Sequence, residues 1–406
     1  MKHLIIGAGA AGITAAKTIR ELSPNDEIVL LSADEHVYSR CLLHHYISTH
    51  RSVAELSFVP ADFFSENNIR WLSGVSVTGV DTASKQVSYD GGAEPYDRLL
   101  IATGAQSAIP PIPGIKGTAG VYGFRDLPDA QAIAQGAGSA QNIVIIGAGL
   151  VGIDAAYGLV GMGKKPTVVE LADDILYANL DSGAAEAYRT KFEEAGCVFR
   201  LGTKVASVQS DSSGSVCEVT LEGGESLPCD LLIVATSITP NAAWLEGSGV
   251  SVERGVVVDE FLMTSAEDVY AAGDVTGLAG TWPEAMSQGE VAARNMLGLR
   301  TVYSDGEPTR CTMNFFGIPT LSIGEFKGAD GDTVVSRSSK SQYEKMVLRG
   351  DVPVGVILQG DISRSGHWHH IIKHKISTKS IDKPIWKISF ADAYSLDESG
   401  EYKWEL

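Results

Sequence analysis

One stretch of thirteen residues occurs twice in this chain, and no other feature restricts the possible folds as strongly. Residues 4–16 read LIIGAGAAGITAA and residues 144–156 read VIIGAGLVGIDAA, identical at nine of thirteen positions. In each copy an apolar run enters a G-x-G-x-x-G turn and leaves it in a helical pattern: Gly7, Gly9 and Gly12 in the first, Gly147, Gly149 and Gly152 in the second. The first glycine permits the turn, the second lets backbone approach a pyrophosphate, and the third lets the helix pack closely on its strand. The helix start then offers unpaired N–H groups to an anion. Each copy also has a matching later strand, DRLLIAT at 97–103 and DLLIVAT at 230–236. Two complete dinucleotide-binding units are therefore expected, which makes the chain α/β.

The residues after each glycine turn refine this. A dinucleotide fold places its ribose-gripping residue about twenty positions on, at the end of the second strand. In the first copy that position holds Ser32, with Asp34 and Glu35 close behind; in the second it holds Glu170. A carboxylate suits two ribose hydroxyls and repels a 2′-phosphate, so Glu170 favours NADH over NADPH. Further on, 269–275 (VYAAGDV) reads as a short buried strand ending in Gly273 and Asp274, and a buried strand that ends in an acid points to a bound group. A helix follows from Trp282, with Pro283 in its first turn. Residues 70–77 and 86–89 read as a small antiparallel excursion, and Pro110, Pro111 and Pro113 as a hinge.

Composition excludes several alternatives. A net charge of −18 argues against nucleic acid as a partner. Five cysteines without a CxxC pair argue against a disulfide scaffold, an iron–sulfur cluster or a dithiol centre, so redox chemistry has to come from a bound cofactor. No metal-ligand set stands out. With no run of 18 apolar residues and no leader-like start, neither a membrane span nor a secretory signal is expected, and the cytoplasm is the default compartment. Between Arg364 and Lys387 the chain turns basic, with six Lys or Arg against Asp382 and with His367, His369, His370 and His374. That patch reads either as a docking surface for an acidic partner or as a solvated helix face.

Taken in order, Gly7/Gly9/Gly12, Ala102-Thr103-Gly104, Gly147/Gly149/Gly152 and Ala272-Gly273-Asp274 resemble the FAD- and NAD(P)-dependent pyridine nucleotide-disulfide oxidoreductase superfamily, over nearly the whole chain. The resemblance implies two Rossmann-like domains with the NAD domain inserted in the FAD domain (1–112 and 238–306 for FAD, 113–237 for NAD), and a small α+β C-terminal domain at 307–406. It implies FAD on Gly7, Gly9, Ala11 and Gly12, with Ser32, Arg40, Ala102, Thr103, Gly104, Asp274 and Trp282 around the same cofactor and Asp274 on the ribityl chain. NADH is then held by Gly147, Gly149, Gly152 and Glu170.

The branch turns on residues 38–46, YSRCLLHHY. Tyr38 and Arg40 resemble the Y-x-R-P-x-L-S-K run of rubredoxin, ferredoxin and nitrite reductases; Cys41 and Tyr46 resemble the single-cysteine branch of NADH oxidases, peroxidases and coenzyme A-disulfide reductases. The C-terminal runs NFFGIPTLSIG and VLRGDVPVGVILQGDISRSG favour the first. The expectation is an FAD-dependent NADH:acceptor oxidoreductase that passes electrons to a rubredoxin- or ferredoxin-like carrier or to an iron–sulfur subunit of a larger complex. The alternatives are a Cys41-dependent oxidase, peroxidase or disulfide reductase, and a non-enzymatic NADH-sensing flavoprotein. A Lys–Glu pair near flavin N5 in ferredoxin reductases corresponds here to His45 and Asp154, expected to support hydride transfer.

Overall fold

The structure, a computed structural model, describes the chain except residues 49, 279, 305, 307, 393, 394 and 404–406. It divides into two compact units: Met1–Gly147, Asp154–Thr167 and Val205–Ser304 in one, and Ala148–Ile153, Val168–Lys204 and Asp305–Leu406 in the other.

In the first unit β1 (Lys2–Ile6) leads through the glycine turn into α1 (Ala10–Leu22) and β2 (Glu27–Ser32). A 3-10 turn at Arg40–Leu42 precedes the short α2 (Leu43–Ile47), and α3 (Phe63–Glu66) precedes β3 (Ile69–Ser73). The excursion consists of β4 (Val77–Asp81), β5 (Gln86–Tyr89) and β6 (Gly92–Pro95), an antiparallel sheet. The closing strand is β7 (Arg98–Ile101), followed by β8 (Ala105–Ser107).

The second glycine region runs through β9 (Val121–Tyr122), α4 (Leu127–Ser139), β10 (Ile143–Ile146), α5 (Leu150–Gly161), β11 (Thr167–Val169), α6 (Ser182–Glu194) and β12 (Val198–Arg200). An antiparallel trio, β13 (Val205–Ser210), β14 (Val216–Leu221) and β15 (Ser226–Pro228), comes before β16 (Leu231–Val234), which lies parallel to β10 and β9. Next, β17 (Ile238–Pro240) pairs antiparallel with β8, so the segments leaving the two matched closing strands zip together. The chain then forms β18 (Val269–Ala271) and α7 (Trp282–Met296).

The first sheet is parallel, in the order β18-β7-β1-β2-β3. The expectation for residues 70–77 is corrected here. Ile69–Ser73 is an edge strand of this parallel sheet, in register with β2, and only the later strands form the antiparallel excursion. Both faces of the central strands are covered, which is why they read as unbroken apolar runs. Ile5, Leu30 and Leu100 enter the core beneath α1 and α7, whereas Leu4, Ile6, Val29, Leu31, Leu99 and Ile101 enter the core on the other face. Each such burial is worth about 1.5–3 kcal/mol. Helices α1 and α7 meet almost backbone to backbone: a Cβ on Gly289 would stand 2.3 Å from the Ala11 carbonyl oxygen.

In the second unit five antiparallel strands, β19 (Arg310–Phe315), β20 (Ile318–Gly324), β21 (Thr333–Ser338), β22 (Tyr343–Arg349) and β23 (Val352–Gln359), form the sheet β19-β20-β23-β22-β21. Helix α8 (Ser365–Lys373) covers one face through Trp368, Ile371 and Ile372. The Tyr188 hydroxyl of α6 donates to the Ile318 carbonyl at 2.6 Å and lies 2.7 Å from the Thr320 hydroxyl, while the Gln359 amide reaches the Ala184 carbonyl. Among the described residues no helix is long and apolar enough to cross a membrane.

Candidate functional site

A cavity of about 440 Å³ opens where β1, β7 and β18 end. Its walls include Gly7, Gly9, Ala11, Ser32, Arg40, Cys41, Ala102, Thr103, Gly104, Asp274 and Trp282, so the residues expected around the first cofactor converge, apart from Gly12 just behind them. Gly7 has φ +111, and a Cβ there would stand 2.1 Å from the Ala102 oxygen; one on Gly12 would stand 1.9 Å from the Gly7 oxygen. Gly9 differs, because its nearest neighbour would be Arg40 Nη1 at 3.7 Å, and its open side is the cavity. No side chain caps α1 and no acid occupies its first turn, so the positive end of the helix meets the cavity uncompensated. With Arg40 beside it, this cradle suits a pyrophosphate and fits the FAD that the sequence implies.

Arg40 is held from behind. Its guanidinium meets Asp34 at 3.1 Å and lies over the Tyr38 ring, whose hydroxyl also donates to Asp34. Ser32 donates to the Asp34 carbonyl at 2.7 Å and accepts from the Trp71 indole at 2.9 Å, so its hydroxyl is largely engaged by protein. Trp282 opens α7 and packs edge-on against Phe58. A capping box of Thr281 and Glu284 closes that helix, so an acid in the first turn offsets part of the positive end there.

Three groups of this site escaped sequence reasoning. Arg125 forms an ion pair with Asp274. Asn241 donates to the Thr103 carbonyl at 3.0 Å and accepts from the Thr103 hydroxyl at its own carbonyl, locking the end of β7. Gln288, fully buried, accepts from the Gly273 N–H at 2.8 Å, while its Nε2 has no partner. The matched strand endings at 101–103 and 234–236 could have signalled Asn241; nothing local marks Arg125 or Gln288.

In the second copy, Gly147 repeats the close approach, its absent Cβ falling 2.5 Å from the Ala235 oxygen. The buried Glu170 carboxylate ends β11 and accepts from the N–H of Ala148 at 2.6 Å and of Ala172 at 2.8 Å. It is thus held at the glycine turn of Gly149 and Gly152.

Residues 38–46 bring the main correction. His44, not His45, lies against Asp154, with Nδ1 3.4 Å from Oδ1. The 3-10 turn sets the phase of α2, Leu43 and Ile47 turn into the core, and His44 faces α5. His45 instead stacks on His44, with ring centres 4.1 Å apart, and its carbonyl accepts from the backbone of His50 and Arg51. Burial raises the Asp154 carboxyl to about 8 and, with help from His45 and Arg51, lowers the His44 imidazole to about 3. Cys41 is exposed to the cavity it lines; desolvation by the protein around it and the charge of Asp154 push its thiol up, against the opposing effect of Ser39 and Arg125.

The basic 364–387 stretch is smaller as a surface than its sequence suggests. Arg364 spends its guanidinium on the carbonyls of Trp386 and Ile388, Lys383 pairs with Asp392, and His367 is buried between Trp368 and Phe390. Lys373, Lys375, Lys379 and Lys387 remain exposed.

Comparison with known proteins agrees with this geometry. Residues 1–289 match the pyridine nucleotide-disulphide oxidoreductase family, and residues 311–376 match the rubredoxin NAD+ reductase C-terminal domain. The NADH-dependent phenylglyoxylate dehydrogenase subunit epsilon of Aromatoleum evansii is 32% identical, over 87% of this chain and 86% of that one. The nitrite reductase [NAD(P)H] of Bacillus subtilis is 28% identical over 94% of this chain, which spans only 48% of that enzyme's length. A solved NAD-dependent persulfide reductase from A. fulgidus superposes with a TM-score of 0.83 at 26% identity, covering 94% of this chain and 78% of that one. Two glycine turns backed by close backbone contacts, a cavity fitted to a flavin dinucleotide and a match over most of the length lead to one conclusion: the chain belongs to the pyridine nucleotide-disulphide oxidoreductase family of FAD-dependent NAD(P)H oxidoreductases.

Proposed function

We propose that this chain takes electrons from NADH and passes them, through FAD, to a protein acceptor: a rubredoxin- or ferredoxin-like carrier or an iron–sulfur subunit of a larger complex. The observation that carries the choice is the match of residues 311–376 to the rubredoxin NAD+ reductase C-terminal domain. The setting of Cys41 accords with it. A thiol used as a nucleophile or redox centre needs a cation or helix end that stabilises the thiolate. Arg125 acts in that sense, but desolvation and the charge of Asp154 outweigh it and push the Cys41 thiol up. The name of the phenylglyoxylate dehydrogenase subunit supports the multisubunit version of the reading.

In this reading 1–112 and 238–306 hold FAD, 113–237 hold NADH and 307–406 form the C-terminal domain. FAD, when bound, supplies hydride acceptance from NADH and release of electrons one at a time. The protein aligns and shields it. Gly7, Gly9, Gly12 and Arg40 hold its pyrophosphate, Thr103 and Gly104 present backbone to it, and Asp274 turns from Arg125 to the ribityl hydroxyls. Gly147, Gly149 and Gly152 take the NADH pyrophosphate, and Glu170 takes the adenosine ribose, which selects NADH. Replacing Cys41 by Ser tests the proposal: NADH-dependent reduction of a protein carrier persists at the wild-type rate. Loss of that activity, with NADH-dependent peroxide or disulfide reduction lost alongside, would assign the chain to thiol chemistry instead.

A further inference from the structure

The turn that carries Asp274 is fastened from the core, beyond the end of its own strand. Gly273 has φ +84 and ψ −160, a conformation that side chains rarely adopt, and the chain then enters a 3-10 turn at Asp274–Thr276. The Thr276 hydroxyl donates to the Gly273 carbonyl at 2.8 Å. The Gly273 N–H donates in turn to Gln288 Oε1 of α7 at 2.8 Å, and that side chain is fully buried. The two bonds hold the peptides on either side of Gly273. Between them they set both of its torsions, and with those the direction in which Asp274 leaves the strand.

The orientation of the Gln288 amide is forced, because the flipped amide would set donor against donor at Gly273. In that orientation Nε2 has no partner among the described residues, and a buried unpaired donor costs stability. Packing alone would be met by an apolar side chain; an acceptor for Gly273 would not. The next residue makes a second contact with the cofactor cradle. A Cβ on Gly289 would stand 2.3 Å from the Ala11 oxygen, and one on Gly273 would stand 3.2 Å from Ala11 Cβ. Ala11, Ala285, Gly273 and Asp274 all line the cavity. One helix therefore aligns two walls: Gly289 seats α7 on the first glycine turn, and Gln288 takes hold of the turn that presents Asp274. Arg125 reaches the Asp274 carboxylate from the opposite side, so the aim of that carboxylate depends on how firmly its own turn is held.

We propose that Gln288 is a positioning residue of the flavin site: by fixing the peptide before Gly273 it aims the Asp274 carboxylate at the ribityl chain of the cofactor. This rests on the functional reading above, in which Asp274 serves the ribityl hydroxyls. Gln288 stands behind the cavity wall and acts through Gly273.

The test is FAD titration of the apoprotein in wild type, Asp274→Ala, Gln288→Leu, Gln288→Glu and the double variant Asp274→Ala with Gln288→Leu. Gln288→Leu weakens FAD binding about 10- to 100-fold, the contribution of one charge-assisted hydrogen bond. Gln288→Glu, measured at pH 6 where burial keeps its carboxyl neutral, retains an acceptor for Gly273 and restores most of the affinity. In the Asp274→Ala background, Gln288→Leu has little further effect. Losses that multiply in the double variant, as a general packing defect gives, would overturn the proposal alone. Wild-type affinity in Asp274→Ala would overturn it together with the Asp274 assignment. Amide hydrogen exchange of the wild-type apoprotein provides a second readout, which also serves if Gln288→Leu does not fold. Exchange at the Gly273 N–H as slow as in the core of α7 supports the proposal, and loop-like exchange there overturns it. Failure of the wild type to bind FAD would count against the functional reading and leave the exchange outcome standing.

Discussion

Replacing Gly9 with Ala separates binding from folding more cleanly than any other change in the first glycine turn. Gly9 is the N-cap of α1 with φ −82 and ψ −171, an extended conformation open to any residue. Its added Cβ meets only Arg40 Nη1 at 3.7 Å, an ordinary contact. Alanine is a poorer N-cap than glycine by up to about 1 kcal/mol, and the lower entropy of the unfolded chain returns about 0.4–1 kcal/mol. The apoprotein should therefore melt within a few degrees of wild type. The methyl instead enters the space where a phosphate must approach the backbone. Losing one charge-assisted hydrogen bond costs about 1.5–3 kcal/mol, or roughly 10- to 150-fold in FAD affinity. Gly7→Ala is the contrast: positive φ and a 2.1 Å collision with the Ala102 oxygen require the end of β7 to move, so folding itself should fail. The assay is flavin content on purification, FAD titration of the apoprotein and its thermal melt. A Gly9→Ala protein with wild-type FAD affinity would refute the placement of the pyrophosphate.

Other outcomes follow from the same geometry. Tyr188→Phe removes a buried hydroxyl bonded to Ile318 and Thr320 and should cost the second unit about 1–3 kcal/mol in denaturant unfolding; an unchanged midpoint would show that the bonds are not worth their burial. Glu170→Ala should weaken NADH binding and narrow its preference over NADPH, read as the ratio of kcat/KM values; an unaltered ratio would remove Glu170 from the ribose. Burial holds the His367 imidazole at about 4, below its ordinary 6.5, so the unfolded chain binds a proton there that the folded chain does not. The associated stability is full above pH 6.5 and is lost as pH falls toward 4. Fluorescence of Trp368 and Trp386 should report loosening of this region in that window, and His367→Phe should reduce the effect.

The glycine turns were legible because they meet a steric demand that few sequences satisfy, and the repetition of the turn with its closing strand made the α/β architecture readable from residues alone. What escaped was set by tertiary packing. Ile69–Ser73 shows the mixed burial of an edge strand, which in sequence resembles a half-exposed antiparallel one. His44 and His45 are adjacent, and only the 3-10 turn ahead of α2 and the glycines of α5 determine which of them meets Asp154. Arg125 reaches Asp274 across 149 residues of sequence, a pairing that carries no local signal. The basic run at 364–387 was visible as charge, but sequence does not reveal that Arg364 turns inward to cap carbonyls.

The central claim is that NADH reduces a flavin whose electrons go to a protein carrier without help from Cys41. Anaerobic titration of the FAD-loaded protein with NADH, followed by mixing with rubredoxin, ferredoxin, peroxide, coenzyme A disulfide or oxygen, tests it most directly. The account predicts stoichiometric bleaching of the flavin by NADH and fast reoxidation by an iron–sulfur or rubredoxin-type carrier, equally in wild type and Cys41→Ser. Fast reoxidation by peroxide or disulfide alone, abolished in Cys41→Ser, would contradict it.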